Sequence, residues 1–92
     1  KKSKVEISGI IKLIRPTEQP SEKFIKRELI LTTDASTPYP QHISLLAVNK
    51  NTSMLNAFTE GQEVVCSVNL KGKEYNGKYY NTLEIWKITL IN

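Results

Sequence analysis

Residues 63–91, EVVCSVNLKGKEYNGKYYNTLEIWKITLI, decide the fold class of this chain. In the first part of this stretch apolar residues recur at every second position, which is the period of a half-buried strand. These residues are Val64, Cys66, Val68 and Leu70. The pair Asn76-Gly77 then separates this strand from a long strand pattern over 79–91, and Asn-Gly is the strongest short hairpin signal. The sequence therefore predicts two antiparallel strands joined by a tight turn.

Three further strand patterns precede this hairpin. Residues 4–15 have the same two-residue period, and the glycine among them, Gly9, is typical of a bulge or a sharp bend. The apolar residues that share a face in this pattern are Val5, Ile7, Ile11 and Leu13. Residues 23–33 and 41–48 give the second and third strands. The polar segment 16–22 between the first two strands contains two prolines and predicts a mobile loop.

Residues 49–58 interrupt the strand pattern. The spacing of Leu55 and Phe58 indicates a short amphipathic helix, and the candidates for its N-cap are Asn51, Thr52 and Ser53. Five strands with one helix between the third and the fourth are typical of the Greek-key OB barrel, whereas SH3-like barrels usually lack that helix. We therefore predict an all-β, five-stranded OB-fold barrel, with residues 1–92 forming a single domain and residues 1–3 disordered.

The charge balance points only weakly to an anionic partner. Thirteen Lys and Arg against nine Asp and Glu give the 92-residue chain a net charge of +4, but three of the lysines lie within residues 1–4. Without them the balance is ten against nine, so the placement of the remaining charges matters more than the total. The sequence lacks a run of 18 apolar residues, and its single cysteine, Cys66, cannot form an internal disulfide. We therefore expect a cytoplasmic protein that does not contact a membrane.

Enzymatic motifs are missing from the sequence. One histidine, His42, and one cysteine cannot supply the four ligands of a zinc site, and no glycine-rich phosphate loop occurs. The carboxylates are scattered singly along the chain. These features predict a protein that is not an enzyme and has neither a metal nor a cofactor.

Basic and aromatic residues interleave around the predicted hairpin. The basic residues are Lys71, Lys73, Lys78 and Lys87, and the aromatic ones are Tyr75, Tyr79, Tyr80 and Trp86. Single-stranded nucleic acid requires this mixture, because cations follow the phosphates while flat rings stack on the bases. Alternatively, the last three of these rings pack on the barrel, and for Trp86 the apolar strand around it favours that interpretation.

A second basic cluster, residues 23–27, lies on the predicted second strand. Phe24 and Lys26 share a parity opposite to Leu29, so they point outward. Arg27 has the inward parity; it either snorkels at the mouth of the barrel or follows a bulge. Lys12 and Arg15 would extend the basic track from the first strand. The predicted nucleic-acid-binding residues are Lys12, Phe24, Lys26, Arg27, Lys73, Tyr75, Lys78, Tyr79 and Trp86.

Three motifs carry a family resemblance: EGQEV at 60–64, EYNGKYY at 74–80 and LEIWKI at 83–88. With them the chain resembles a small family of bacterial OB domains of unknown function. That family is similar to single-stranded DNA-binding protein and to primosomal replication protein N. The resemblance implies an OB barrel and a role in DNA replication or repair.

The hypothesis that fits best is largely sequence-nonspecific binding of single-stranded nucleic acid, DNA rather than RNA, by a homodimer or homotetramer. The alternative is a protein-interaction or self-assembly module that uses an exposed sheet edge. Oligosaccharide binding also occurs in OB barrels, but the sequence has neither the disulfides nor the secretion signal of a secreted carbohydrate-binding protein.

Overall fold

Six strands and one 3-10 helix form the part of the chain that the structure, a computed structural model, describes, namely residues 5–91. The predicted disorder of residues 1–3 concerns residues outside this range. The elements are β1 (Val5–Ile14), β2 (Glu18–Ser21), β3 (Phe24–Thr33), β4 (Gln41–Val48), the 3-10 helix (Asn49–Ala57), β5 (Glu63–Tyr75) and β6 (Lys78–Leu90). Within residues 5–91 no helix has the length and apolar character needed to cross a membrane.

The five long strands close into a barrel. The strand order is β1-β5-β6-β4-β3-β2, and β1 also pairs with β3, which joins the two sides of the sheet. All pairings are antiparallel except that of β4 with β6, which is parallel and aligns Leu46 with Glu84. This closed barrel with one short helix between β4 and β5 confirms the predicted OB fold.

The sixth strand, β2, corrects the prediction of a mobile loop at 16–22. Glu18 pairs with Lys26 and Ser21 with Phe24. This pairing is available because β1 occupies the edge of β3 only from Leu29 onward, so the first part of that edge is free. The polar sequence of β2 hid it, since a strand exposed at every position has no apolar period to detect.

The core lies inside the barrel and is built by the alternating residues of the strands. Its buried members are Ile11, Leu29, Leu31, Leu45, Ala47, Leu55, Val64, Cys66, Val68 and Ile85. Burial raises the pKa of the Cys66 thiol to about 12, so at neutral pH this side chain packs as a small uncharged group.

A bulge in β1 changes which residues face the core. Ile11 pairs with Leu31 but Leu13 pairs with Ile30, so one extra residue, Lys12, is accommodated between them. The bulge reverses the parity, and Ile14 rather than Leu13 packs against the core. The prediction that Leu13 shares the face of Ile11 is therefore wrong.

Gly9 is not the site of this bulge but a point of close approach between strands. It pairs with Val64 of β5, and an added Cβ would lie 2.4 Å from the carbonyl oxygen of Thr32 in β3. Only a residue without a side chain fits where β1 passes from β5 to β3.

The 3-10 helix begins earlier than predicted and is not capped by a side chain. Asn49 has a positive φ of 51°, a conformation that asparagine tolerates, and the chain turns there directly after β4. The hydroxyls of Thr52 and Ser53 donate to the carbonyl oxygens of Asn49 and Lys50, so they do not accept from backbone N–H groups as N-caps would. Leu55 is buried as the apolar spacing predicts.

The β5–β6 hairpin has the predicted tight turn. Asn76 and Gly77 both have positive φ, 52° and 77°, as a type I′ turn requires. The strands extend up to the turn, so that Tyr75 pairs with Lys78. This turn fixes which side chains share a face of the hairpin.

Candidate nucleic-acid interface

The outer faces of β3 and β4 form a continuous surface, which we call the floor. The pairing of β3 with β4 is regular over eight residue pairs, so the side chains alternate between core and surface without interruption. Leu29 and Leu45 point inward, whereas Glu28 and Leu46 point outward. The outward residues that make up the floor are Phe24, Lys26, Glu28, Ile30, Ser44, Leu46 and Val48.

Among the grooves that border the floor, two contain the predicted basic residues. One, of about 420 Å³, lies beside the β1–β2 connection and is lined by Arg15, Pro16 and Glu18 together with floor residues. The other, of about 540 Å³, separates the floor from the β5–β6 hairpin. Leu46 lines both grooves, so they adjoin across the floor.

The outer part of the hairpin is a two-stranded ribbon with two different faces. Of the described residues, those of β1 pair with β5 only as far as Val68, and β4 pairs with β6 at Glu84, so the ribbon beyond them pairs with itself. The pairs on one face are Lys71 with Thr82, Lys73 with Tyr80, and Tyr75 with Lys78. We call this the cationic face. Lys71, Lys73, Tyr80 and Thr82 of this face line the groove beside the floor.

Tyr79 lies on the opposite face of the ribbon. It pairs with Glu74, and its hydroxyl donates to a carboxylate oxygen of Glu74 at 3.5 Å. The structure therefore brings the predicted residues Lys73, Tyr75 and Lys78 together but separates Tyr79 from them. Tyr80, with 51% of its surface exposed, takes the place beside Lys73. The sequence could have shown that Tyr80 and not Tyr79 lies on this face. A two-residue turn pairs Tyr75 with Lys78, and Tyr80, two residues after Lys78, then shares their face.

Trp86 is exposed because of a bulge in β6. Ser67 pairs with Lys87 but Val68 pairs with Ile85, so Trp86 is the extra residue. The bulge lets Ile85 and Ile88 both pack on the core, and it leaves 43% of Trp86 exposed. The interpretation that Trp86 fills the core is wrong. It lies on the outer surface of β1, β5 and β6, which we call the outer wall and which includes Ile10, Lys87 and, directly after β6, Ile91. Trp86 lines neither groove.

The binding residues predicted in the first two strands do not all lie on the floor. Lys26 and Phe24 belong to the floor, as predicted. Lys12 is exposed in the β1 bulge and lines neither groove. Arg15, which sequence reasoning treated as an extension of the track, lines the groove beside the β1–β2 connection.

Arg27 sits at the mouth of the barrel. Its inward parity is kept because the β3–β4 register has no shift there, which excludes a bulge. The guanidinium extends to the barrel end, where Nε donates to the carbonyl oxygen of Arg15 at 2.8 Å and Nη1 donates to the side-chain oxygen of Asn56 at 2.7 Å. It also lines the groove beside Arg15. Arg27 thus links the start of the β1–β2 connection and the 3-10 helix to β3, while the edge of its guanidinium faces the groove.

The carboxylates of the interface lie next to cations. The nitrogen–oxygen distances are 3.8 Å for Arg15–Glu28, 3.9 Å for Lys26–Glu18 and 2.6 Å for Lys71–Glu84. The Arg15–Glu28 and Lys26–Glu18 pairs are exposed and contribute at most about 1 kcal/mol each, whereas the Glu84 side chain is only 18% exposed, so the pair with Lys71 is partly buried. Lys73 and Lys78 form no ion pair with any residue in the described range. These two ammonium groups are available to an anionic ligand without breaking an existing pair.

A family described as a domain of unknown function, DUF3127, matches residues 6–89. The chain belongs to the DUF3127 family. This confirms the resemblance that the motifs at 60–64, 74–80 and 83–88 indicated. No curated protein matches the sequence at a significant level.

Several solved structures share the fold of this DUF3127 chain. The mitochondrial single-stranded DNA-binding protein Rim1 from S. cerevisiae superimposes with a TM-score of 0.77 at 13% identity, covering 97% of this chain and 95% of that one. The dimeric N-terminal domain of PriB from Thermoanaerobacter tencongensis gives 0.68 at 14% identity, with 97% and 96% covered. PriB from Ralstonia solanacearum gives 0.67 at 14%, with 97% of each chain covered. At these identities the likeness establishes the OB fold.

The DUF3127 chain offers groups for binding at this surface. Ammonium groups and phenol rings alternate along the cationic face, and apolar and polar side chains make up the floor. Across residues 5–91, no three His, Cys, Asp or Glu side chains come close enough to hold a metal ion.

Proposed function

We propose that this domain binds single-stranded nucleic acid, DNA in preference to RNA, and has no catalytic activity. The protein would contact mainly the phosphate backbone of the strand and the flat faces of its bases. The observation that carries the proposal is the cationic face, where Lys73 and Lys78 alternate with Tyr75 and Tyr80 beside the floor. Phosphates need cations that are not already paired, and bases need exposed flat rings. The fold shared with Rim1, a protein named for binding single-stranded DNA, supports the same proposal.

The geometry suggests how a strand would lie. Its phosphates would follow the lysines of the hairpin, and its bases would stack on Tyr75 and Tyr80 and extend over the floor toward Phe24. A duplex presents its stacked bases inside the helix, so it could use the cations but not the rings. We therefore expect the duplex to bind more weakly than the single strand.

Salt dependence tests this proposal. With about three to five phosphates neutralised, the logarithm of the affinity for oligo-dT should fall against the logarithm of the salt concentration with a slope of roughly −2 to −3.5. Fluorescence anisotropy of labelled oligo-dT and of a duplex, measured over a range of salt concentrations, gives both the slope and the preference.

Two lysine variants and one matched control make the test specific. Lys73→Gln and Lys78→Gln should each reduce the size of the slope by about 0.7. Lys87→Gln removes the same charge from the outer wall and should leave the slope unchanged. An affinity for oligo-dT that does not depend on salt, or no binding at low salt, would exclude the proposed function.

Self-assembly is a second candidate, and exposed apolar residues on the outer wall favour it. Ile10, Trp86 and Ile91 are 37%, 43% and 36% exposed there. PriB from Thermoanaerobacter tencongensis, which shares the fold, is described as dimeric. Nucleic-acid binding at the floor and a homodimer or homotetramer formed through the outer wall are compatible, and light scattering of the protein gives its mass in solution.

A further inference from the structure

One negatively charged side chain interrupts the floor. Glu28 projects outward from the middle of β3, opposite Leu46, and it is the single carboxylate among the outward residues of β3 and β4, both of which lie within the described range. It also lines the groove beside the β1–β2 connection. A carboxylate at the centre of a surface for a polyanion has a cost, because it repels phosphate.

Neighbouring residues hold this carboxylate in position. The Ser44 hydroxyl on β4 donates to its Oε2 atom, and the Arg15 Nε atom lies 3.8 Å from its Oε1 atom. An ionised carboxylate has about four acceptor sites, so both oxygens can still accept a hydrogen bond from a ligand. The Glu28 carboxylate is therefore held in a fixed orientation and can accept further hydrogen bonds. A ligand that binds to it must supply hydrogen-bond donors such as N–H groups.

The position of the free cations decides which part of a strand meets Glu28. Lys73 lies across the groove from the floor, and Lys78 lies on the same face of the hairpin, nearer the turn. On the floor side Arg15 and Lys26 each already lie beside a carboxylate, so the phosphates are drawn to the hairpin and the bases are left over the floor. Unstacked bases are read at their Watson–Crick edges by hydrogen bonds. A base edge, not a phosphate, is then the group placed against the carboxylate.

The four bases differ in how well they satisfy a carboxylate. Guanine presents two adjacent donors, N1–H and the N2 amino group, which match the two oxygens of one carboxylate. Cytosine and adenine offer an amino group beside a ring acceptor, and thymine offers N3–H between two carbonyl oxygens that the carboxylate repels. We propose that Glu28 selects guanine within single-stranded DNA bound on the floor. This inference rests on the proposed function.

The experiment compares alternating oligonucleotides of about 12 nucleotides, a length within the site sizes of single OB folds. Anisotropy titrations with dT–dG, dT–dC and dT–dA repeats are set against oligo-dT at one salt concentration. A bidentate pair discriminates between bases by about tenfold, so the wild-type protein should bind the dT–dG repeat about five- to tenfold more tightly than oligo-dT.

Glu28→Gln should bring that ratio close to one, because an amide offers one acceptor and one donor and matches the thymine edge as well. Glu84→Gln is the charge-matched control. It removes the same charge at the hairpin side of the groove and frees Lys71 from its ion pair, so it should raise the affinity for every oligonucleotide by a common factor and keep the ratio. Thermal unfolding of both variants checks that the fold is retained.

Three results would overturn the inference, and they differ in what they say of the proposed function. If the wild type binds all repeats and oligo-dT equally, with an affinity that falls with salt, the guanine selectivity is wrong and the proposed function stands. If Glu28→Gln keeps the wild-type ratio, the selectivity exists but Glu28 does not cause it. If no oligonucleotide binds, the proposed function fails and the inference fails with it.

Discussion

Replacement of Gly9 by alanine is expected to lower the midpoint of thermal unfolding by roughly 10–20 °C, corresponding to about 2–3 kcal/mol. The added Cβ would lie 2.4 Å from the Thr32 carbonyl oxygen and 3.1 Å from the Leu31 Cγ atom. The carbonyl belongs to the backbone of β3 and cannot rotate away, so β1 and β3 must separate at the point where they close the barrel. Circular dichroism at increasing temperature measures the effect.

Gly72→Ala is the matched control for this prediction. Gly72 also lies in a strand, but the nearest atom to its added Cβ is the side-chain oxygen of Asn81 at 3.4 Å, an ordinary contact with a group that can move. Its midpoint should change by only a few degrees. A Gly9→Ala protein as stable as the wild type would show that β1 and β3 do not approach as closely as the barrel requires.

Replacement of Tyr75 and Tyr80 by alanine is expected to have the largest effect on binding. Each ring is exposed on the cationic face, by 63% and 51%, and stacking of a base on an aromatic side chain contributes about 1–3 kcal/mol. Each single substitution should weaken binding of oligo-dT by about tenfold, and the double substitution by roughly a hundredfold. Anisotropy titrations at fixed salt provide the measurement.

Tyr79→Ala is the matched control for stacking. Tyr79 is the most exposed of these three rings, at 74%, and it is adjacent to Tyr80 in sequence, but it lies on the other face of the ribbon beside Glu74. Its removal should change the affinity by less than about twofold. Equal losses for Tyr79→Ala and Tyr80→Ala would mean that the faces of the ribbon do not decide where bases stack.

The barrel could be predicted from the sequence because its strands carry strong local signals. The Asn76-Gly77 turn allows positive φ at both central positions, and the every-second-residue period of Val64, Cys66 and Val68 reports a face buried in the core. The number of strands and the place of the helix then select the OB fold. β2 was missed because its pairing depends on an edge of β3 left free by β1, which is a tertiary condition.

At the two bulges, strict alternation along one strand no longer predicts which side chains face the core. Lys12 and Trp86 are extra residues whose presence becomes visible only when the partner strands are aligned. In β6 the spacing of Ile85 and Ile88, three residues apart, was a local sign that strict alternation stops there. In β1 the adjacent apolar residues Leu13 and Ile14 left the parity ambiguous.

The composition of the candidate interface could be predicted from the sequence, but its arrangement only in part. The lysines and tyrosines around the hairpin could be identified from the sequence. The face of the hairpin that each one occupies depends on the register of β5 with β6. Parity alone would have chosen Tyr80 over Tyr79. Glu28 was overlooked because a single glutamate in a strand has no sequence signal, and its position in the floor emerges only when β3 is paired with β4.

The central claim is that a single strand of DNA occupies the floor and the cationic face. The most direct measurement is a titration of the isotopically labelled protein with oligo-dT, followed by nuclear magnetic resonance of side-chain signals that report one face each. We expect the largest shifts for the Leu46 methyl groups and the Tyr80 ring, with little change for the indole N–H of Trp86. Shifts concentrated on Trp86 and the rest of the outer wall, with Leu46 and Tyr80 unaffected, would contradict the account.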